Sequence, residues 1–253
     1  MIEAGILSLV TYYSFEFAFA AMLGGVLYFS LERNSLALEY KIVATLAAVV
    51  ALVAAINYYH MAGLVREAIG EGSLLENFPT SFRYIDWLIT TPLLLAMIVS
   101  LLGLKEGAGK LISGLVVADV IMIVAGYFGE MNINMEGGSM GMAWGGFILS
   151  MFCWLYILFV LYSVLSSYSA QQEPVIQHAL NTLRLIVLLS WAIYPIGYFV
   201  SLLGAGDELK VAREIIYCFA DVFSKVGYGM IAVSAAKKAS FVWDTPEEQN
   251  QVE

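Results

Sequence analysis

Long apolar stretches separated by short polar connections dominate this sequence. Seven of them contain at least about 18 residues, which is enough for a helix to cross a hydrocarbon core of roughly 30 Å. They are Gly5–Leu31, Ile42–Val65, Phe82–Leu104, Leu111–Gly129, Met142–Leu165, Leu183–Leu203 and Val211–Val233. Because lipid excludes unpaired backbone polar groups, seven such stretches predict a compact helical bundle. We therefore predict an all-α membrane protein, a seven transmembrane helix bundle that forms a single domain over residues 1–253.

The composition agrees with a membrane protein. Of the 253 residues, 60% are apolar and 13% are charged, and the mean hydropathy is +0.80. The net charge of −9 comes partly from the C-terminal segment, about residues 241–253, which we predict to be a disordered, solvated acidic tail. This balance argues against a nucleic-acid partner. The first span leaves no room for a cleavable signal peptide before it, so we expect it to act as the targeting element.

The distribution of basic residues predicts the orientation in the cell membrane. Seven of them lie at or near one side of the bundle: Arg33, Lys41, Lys105, Lys110, Arg184, Lys237 and Lys238. The other side has Arg66, Lys210 and Arg213. By the positive-inside rule, the richer side is cytoplasmic, so the N-terminus faces outward and the C-terminus inward.

The last apolar stretch contains an ionisable pair, Asp221 and Lys225, four residues apart. On a helix these side chains share one face. A lysine at the centre of a membrane helix costs roughly 2.5–3.5 kcal/mol on insertion scales, which makes it a candidate for function. A buried lysine is also suited to forming a Schiff base with a carbonyl ligand. A structural buried ion pair is the alternative.

The third stretch carries a second polar cluster. Arg83, Asp86 and Thr90 are spaced by about one helical turn and therefore point the same way. Such a face must line the bundle interior or a water-filled cavity. Asp86 and Asp221 could then flank Lys225 from two helices, with Arg83 helping to balance the charge. A purely stabilising polar network is the alternative.

The sixth stretch adds aromatic residues, Trp191 and Tyr194, followed by Pro195 as a point for a kink. Rigid aromatic side chains near a lysine suit a planar, conjugated ligand. Since aromatic residues usually serve packing, this signal matters only beside Lys225.

Four segments together resemble the microbial (type 1) rhodopsins, in particular the proteorhodopsin and xanthorhodopsin branch. The segments are Arg83-Tyr-Ile-Asp86-Trp-Leu-Ile-Thr-Thr-Pro, Ala118-Asp-Val-Ile-Met-Ile, Trp191-Ala-Ile-Tyr-Pro-Ile-Gly-Tyr and Asp221-Val-Phe-Ser-Lys225. Their occurrence in this order is specific, and the resemblance covers nearly the whole chain.

The resemblance implies all-trans retinal linked to Lys225 as a Schiff base, no enzyme activity and no metal. It implies Asp86 as primary counterion and proton acceptor, Asp221 as second counterion and Arg83 as a gate on the outward side. Trp87 and Trp191 should enclose the polyene. The remaining pocket should be lined by Thr90, Thr91, Leu94, Met122, Gly126, Trp154 and Tyr194, with Asp119 behind it. Gly126 should leave space near the ring of retinal.

The sequence departs from the family pattern at Met97. Proton pumps of this family usually carry a carboxylate eleven residues after the acceptor, about 16 Å further along the helix. Methionine cannot hold a proton, so reprotonation must come from bulk water or another residue.

Three other positions are unusual. Asn57 stands where related proteins hold a histidine, and His60 is three residues further on, where we expect a packed or interfacial side chain. Glu16, near the middle of the first stretch, is expected at an interface between protomers of a homo-oligomer or in an unusual proton route. Phe147 replaces a glycine found in relatives that bind a carotenoid antenna, which argues against an antenna.

Three functions are compatible with these residues. An outward light-driven proton pump is favoured because Asp86 and Thr90 are kept. A photosensory rhodopsin with a slow cycle is the alternative, since Met97 provides no donor. A pump or channel for an ion other than the proton is the least favoured, because Asp86, Thr90 and Met97 match neither the chloride-pump nor the sodium-pump pattern.

Overall fold

The fold is a bundle of helices, seen in a computed structural model that describes residues 5–71, 81–104, 106–204 and 206–242. The side chains of Asn134, Asp207 and Val242 are not described. Within these ranges, seven helical segments are long and apolar enough to cross a membrane. In chain order these spans are Ile6–Ser35, Leu38–Glu71, Ser81–Ser100, Ala108–Ile133, Met140–Ser169, Pro174–Leu202 and Glu208–Phe241. The predicted seven-helix architecture is confirmed. Lys105 and the predicted acidic tail beyond Val242 lie outside the described residues.

Most span boundaries extend beyond the apolar stretches, and the sixth differs most. It begins at Pro174, the first helical residue, nine positions before the predicted start at Leu183. Proline is favoured there because its missing N–H would have no partner in the first turn. The added segment is amphipathic, with polar residues such as Gln177 and His178 on one face and buried residues on the other. A search for apolar stretches therefore misses it, although it is helical.

The third span ends earlier than predicted, at Ser100. Residues 101–103 form a turn in which Gly103 has a φ of +58°, a backbone conformation that favours glycine.

Three spans contain local irregularities. The fifth has a π-helical turn at Val160–Val164, and the seventh has one at Phe223–Gly227. The sixth is divided into Pro174–Leu189 and Ile193–Leu202. Because Pro195 has no N–H to offer the carbonyl of Trp191, that carbonyl accepts from the Tyr194 amide at 3.3 Å instead. The kink expected from Pro195 is therefore a short break just before it.

We call the end of the bundle where the first span begins the N-terminal face and the opposite end the C-terminal face. Successive spans pack on one another, and the seventh also contacts the first and second. The half toward the C-terminal face has a large apolar core that includes Phe29, Leu94, Met97, Ile98 and Leu183. The half toward the N-terminal face contains a smaller apolar cluster and most of the buried charges described below.

Candidate functional site: a buried lysine with two carboxylates

Lys225 lies in the π-helical turn of the seventh span and faces two carboxylates. Its Nζ is 2.8 Å from Asp221 Oδ1 and 3.1 Å from Asp86 Oδ2. All three side chains are at most 2% exposed. The structure thus brings together the lysine and the two aspartates that the sequence singled out on different helices.

Asp221 is held by several donors. Tyr58 donates to Oδ2 at 2.7 Å, Trp87 donates to Oδ1 at 3.4 Å, and Tyr194 also donates to Oδ1. The Nη1 of Arg83 lies 3.8 Å from Oδ2. With this many donors and cations around it, the carboxylate form of Asp221 is well stabilised.

Asp86 is bonded much more sparsely. Its Oδ1 is buried and has no hydrogen-bond partner among the described residues. Thr90 does not reach the carboxylate, because its hydroxyl donates to the backbone carbonyl of Asp86 at 2.9 Å. The side chain of Asp86 therefore keeps an open oxygen next to the charged nitrogen.

A chain of buried charges leads from this centre toward the N-terminal face. Arg83 donates from Nε to Glu214 at 2.7 Å, and Arg213 lies 3.0 Å from the other oxygen of Glu214. Arg213 also reaches Glu130 at 2.7 Å, and Tyr84 donates to Glu130 at 2.8 Å. Arg83 thus connects the lysine centre to a network of alternating charges.

Sequence reasoning missed Tyr58, Glu130, Arg213 and Glu214 as parts of this site. One signal was available, because Glu214 precedes Asp221 by seven residues and two helical turns bring both onto one face. Glu130 gave no such signal, because its partners come from two other spans.

A pocket extends from Lys225 between the third, fourth, fifth and sixth spans. Its lining includes nine of the residues predicted to bind the ligand: Lys225, Trp87, Thr91, Leu94, Met122, Gly126, Trp154, Trp191 and Tyr194. Thr90, which was also expected to line the pocket, is not among these lining residues. Its hydroxyl is turned back onto its own helix, as described above.

The pocket fits a long apolar group joined to an amine. Its walls are largely aromatic and aliphatic, with Trp87 and Trp191 nearly buried. At Gly126, a Cβ atom would lie 3.3 Å from both Ser150 Oγ and Tyr84 Cε1, so a larger residue would crowd the wall there. Thr91 in the wall donates to Asp119 at 2.7 Å, which places Asp119 behind the pocket as expected.

The positions that depart from the family pattern have the following contacts. Met97 is fully buried in the apolar core. Asn57 donates to the carbonyl of Val53 at 2.9 Å, while His60 is exposed on the bundle surface and stacks against Phe82 at 6.4 Å. Glu16 accepts a hydrogen bond from Tyr12 at 2.8 Å.

A seven-helix membrane bundle with a buried lysine and two carboxylates at the end of an aromatic pocket defines the class of protein. The chain belongs to the bacteriorhodopsin-like protein family, whose model matches residues 10–239. It is a multi-pass protein of the cell membrane.

Individual relatives agree with this assignment. The crystal structure of Exiguobacterium sibiricum rhodopsin has a TM-score of 0.83 and 46% identity, covering 92% of this chain and 99% of that one. Xanthorhodopsin, described as a light-driven ion pump with dual chromophore, has a TM-score of 0.85 and 29% identity, covering 94% of this chain and 96% of that one. Green-light absorbing proteorhodopsin from gamma-proteobacterium EBAC31A08 is 33% identical over 229 residues, which are 90% of this chain and 86% of the relative. The predicted resemblance to the proteorhodopsin and xanthorhodopsin branch is confirmed, and a retinal chromophore is inherent to the family.

Proposed function

We propose that this protein is a light-driven outward proton pump with all-trans retinal bound to Lys225. The observation that carries the proposal is the position of Asp86. Its Oδ2 lies 3.1 Å from Lys225 Nζ while its Oδ1 has no hydrogen-bond partner among the described residues. A carboxylate in this position can accept a proton from the nitrogen.

Retinal, joined to Nζ through a Schiff base, supplies light absorption and a light-driven change in the geometry and proton affinity of that nitrogen. The protein side chains accept and stabilise the charges that move. Asp86 takes the proton from Nζ, and Asp221 keeps its charge because Tyr58, Tyr194 and Trp87 donate to it. Trp87 and Trp191, which line the pocket, would restrict movement of the polyene of retinal.

Arg83 directs the proton toward the N-terminal face. It is the cation between the lysine centre and Glu214, so a change of charge at Asp86 alters the field that Arg83 experiences. Glu214, Arg213 and Glu130 continue the polar route in that direction. The basic residues that favour a cytoplasmic C-terminal face make this route an outward one. Export of one charge against about 100 mV requires roughly 2.3 kcal/mol.

Reprotonation of Nζ differs from proton release because no carboxylate stands at Met97 to supply the proton. Met97 holds no proton and is enclosed by apolar side chains such as Leu94 and Ile98. We therefore propose that the proton comes from the C-terminal face without an internal carboxylate donor on the third span.

A photosensory rhodopsin is the second candidate function. The apolar surroundings of Met97 favour it, because reprotonation of Nζ through an apolar core is slow and prolongs any signalling state. The two functions differ in whether illumination moves protons continuously.

Light-induced pH change separates them. Cells producing the protein, supplied with retinal, should acidify the medium under continuous light, and a protonophore should abolish the change. Cells with Asp86→Asn in place of the wild-type protein are the matched control and should show none. A coloured wild-type protein that leaves the external pH constant would exclude the pump and favour the sensor.

The surroundings of Glu16 and Phe147 bear on assembly and on the binding of a carotenoid antenna. Glu16 has a partner within the chain, Tyr12, so its burial does not require a second protomer. Phe147 packs edge-on against Tyr198 at 5.4 Å and fills the position at which relatives with a carotenoid antenna have a glycine. We propose a homo-oligomer without an antenna.

A further inference from the structure

Arg184, in the sixth span, is a buried arginine without a carboxylate partner. It is 4% exposed, and within the described residues no Asp or Glu oxygen lies within 4.0 Å of it. Arg83, which is fully buried, and Arg213, whose side chain is 11% exposed, each have a glutamate partner at 2.7 Å. Within the described residues, Arg184 therefore differs from both of these arginines in having no carboxylate partner.

The hydrogen bonds of Arg184 leave one edge of its guanidinium group free. Its Nη1 donates to Ser166 Oγ and to Asn181 Oδ1, both at 3.3 Å. Both acceptors are neutral, so the described residues around Arg184 leave its positive charge unbalanced. Nε and Nη2 are buried and have no hydrogen-bond partner among the described residues.

Nε and Nη2 of Arg184 together form a paired hydrogen-bond donor. Nε–H and an N–H of Nη2 point in parallel from the same edge of the planar group, at a spacing that matches two oxygens of one carboxylate or phosphate. A buried charge without a partner is unfavourable, and protein structures normally pair it. From the free edge and the unbalanced charge together, we infer that Arg184 forms a binding site for an oxyanion, either a small carboxylate or phosphate or the phosphate of a lipid headgroup.

The site is separate from the pocket at Lys225 and lies near the C-terminal face. Arg184 precedes Trp191 by seven residues, about 10 Å along the helix, and its side chain points further toward that face. Ser166 and Asn181 are exposed, which puts the guanidinium close to the surface of the bundle. The ring of Tyr162 lies 6.0 Å from Cζ and is itself 42% exposed. Tyr162 belongs to the π-helical turn of the fifth span, so an anion bound to Arg184 would lie next to this partly exposed ring.

The test measures anion binding in the dark, so that its result is independent of proton pumping. Purified full-length protein is delipidated in detergent and titrated with sodium acetate or sodium phosphate, with chloride keeping the ionic strength constant. The thermal midpoint is followed by tryptophan fluorescence. The midpoint of the wild-type protein should rise with acetate or phosphate and reach a plateau, because a ligand that binds only the folded state stabilises it.

Three variants sharpen the test. Arg184→Gln removes the charge and should weaken binding at least about tenfold, and Arg184→Lys keeps the charge without the paired edge and should bind more weakly than the wild type. Arg33→Gln changes an exposed arginine near the same face and should behave like the wild type. In buffer without oxyanions, Arg184→Gln should be at least as stable as the wild type, because it removes an unpaired buried charge.

A lipid source is distinguished by native mass spectrometry of protein purified with mild detergent. A phospholipid retained by the wild type and lost from Arg184→Gln would identify the headgroup phosphate as the ligand. Equal stabilisation by oxyanions of the wild type and Arg184→Gln would overturn the inference. So would a wild type that shows neither oxyanion stabilisation nor a retained phospholipid, or an Arg184→Gln protein that is much less stable in the absence of oxyanions.

Discussion

Asp86 of the third span and Asp221 of the seventh span contact the same lysine nitrogen but differ in how many donors bind them. Asp221 accepts hydrogen bonds from Tyr58, Tyr194 and Trp87 as well as from Lys225. Asp86 contacts Lys225 and keeps its Oδ1 without a hydrogen-bond partner in the described part of the chain. Two carboxylates beside one cation can thus have different roles, with one fixed as a charge and the other available for a proton.

Replacing Lys225 tests the attachment of the chromophore. Lys225→Ala should give a colourless protein that does not bind retinal covalently, because the amine that forms the linkage is missing. Absorption spectra after addition of retinal measure this directly. Lys237→Ala is the control, since Lys237 lies on the same span in a partly exposed ion pair with Glu32 and should keep the colour. A visible band in Lys225→Ala would refute the assignment of the site.

Neutralising Asp86 should change both colour and transport. In Asp86→Asn the cation at Lys225 loses one of its two counter-charges, so the visible band should shift to the red at neutral pH and outward transport should stop. Acid should produce the same red shift in the wild type as the coupled Asp86–Asp221 site takes up a proton. Asp119→Asn, which changes a carboxylate bonded to Thr91, should leave transport in place. An unchanged colour in Asp86→Asn would exclude Asp86 as primary counterion.

The absence of a proton-holding group at Met97 predicts a pH-dependent recovery after a flash. If Nζ regains its proton from the C-terminal face, the blue-shifted absorption expected while Nζ lacks its proton should decay about tenfold more slowly per pH unit as protons become scarce. Azide, a small mobile acid, should accelerate this decay. Flash photolysis between about pH 6 and 9 measures the dependence.

Variants at Met97 supply the control for this prediction. Met97→Glu should make the decay faster and less dependent on pH, provided that the new carboxyl is protonated in its apolar surroundings. Met97→Gln introduces a polar group without a titrating proton and should retain the steep dependence. A wild-type decay that is fast and constant over this range would point to a donor elsewhere, with His60 and Glu16 the first residues to change.

Glu214 should be important for stability because it lies between two arginines. Glu214→Gln leaves the buried Arg83 and the nearly buried Arg213 without the carboxylate they share. Loss of one partner of a buried pair costs about 3–5 kcal/mol. We expect the lower end of this range, since the amide oxygen still accepts a hydrogen bond. Thermal unfolding in detergent should show the fall in midpoint. Glu208→Gln, at an exposed position of the same span, should have little effect, and an equal fall in both variants would contradict the prediction.

Two adjacent glycines of the fifth span provide a matched pair for helix packing. A Cβ at Gly146 would lie 2.5 Å from the carbonyl oxygen of Ala125 and 2.7 Å from the Cα of Gly129. Gly146→Ala should therefore force the fourth and fifth spans apart and lower the thermal midpoint. At Gly145 a Cβ meets no atom within 4 Å, so Gly145→Ala should be tolerated. Similar midpoints for the two variants would show that the helices are not in close contact there.

The sequence predicted the seven helices and the lysine centre because both depend on patterns within one segment. Apolar stretches long enough for a bilayer identify the spans, and the charged residues inside them identify Lys225, Asp221, Asp86 and Arg83. The ends of the spans were less predictable. The polar first turns of the sixth span, for example, are helical through packing and the placement of Pro174 rather than through hydropathy.

Contacts between distant segments could not be predicted. Tyr58 reaches Asp221 across 163 positions of the chain, and Glu130 is joined to Arg213 and Tyr84 from two other spans. Hydrophobic periodicity reports which face of a helix is buried, but it does not report which buried groups meet. The hydrogen bond of Thr90 could not be predicted for a related reason, since a threonine hydroxyl on a helix can donate to its own backbone.

The apolar core around Met97 has an electrical consequence. Voltage across a membrane falls mainly where the medium is least polarisable, and in this protein that region lies between Lys225 and the C-terminal face, since the opposite half is filled with charges and hydroxyl groups. A proton that reaches Lys225 through the core would therefore cross most of the transmembrane field. The membrane potential should thus act on the refilling of the lysine nitrogen rather than on the departure of the proton through Arg83 and Glu214, and it is the recovery step that should slow as a cell becomes energised.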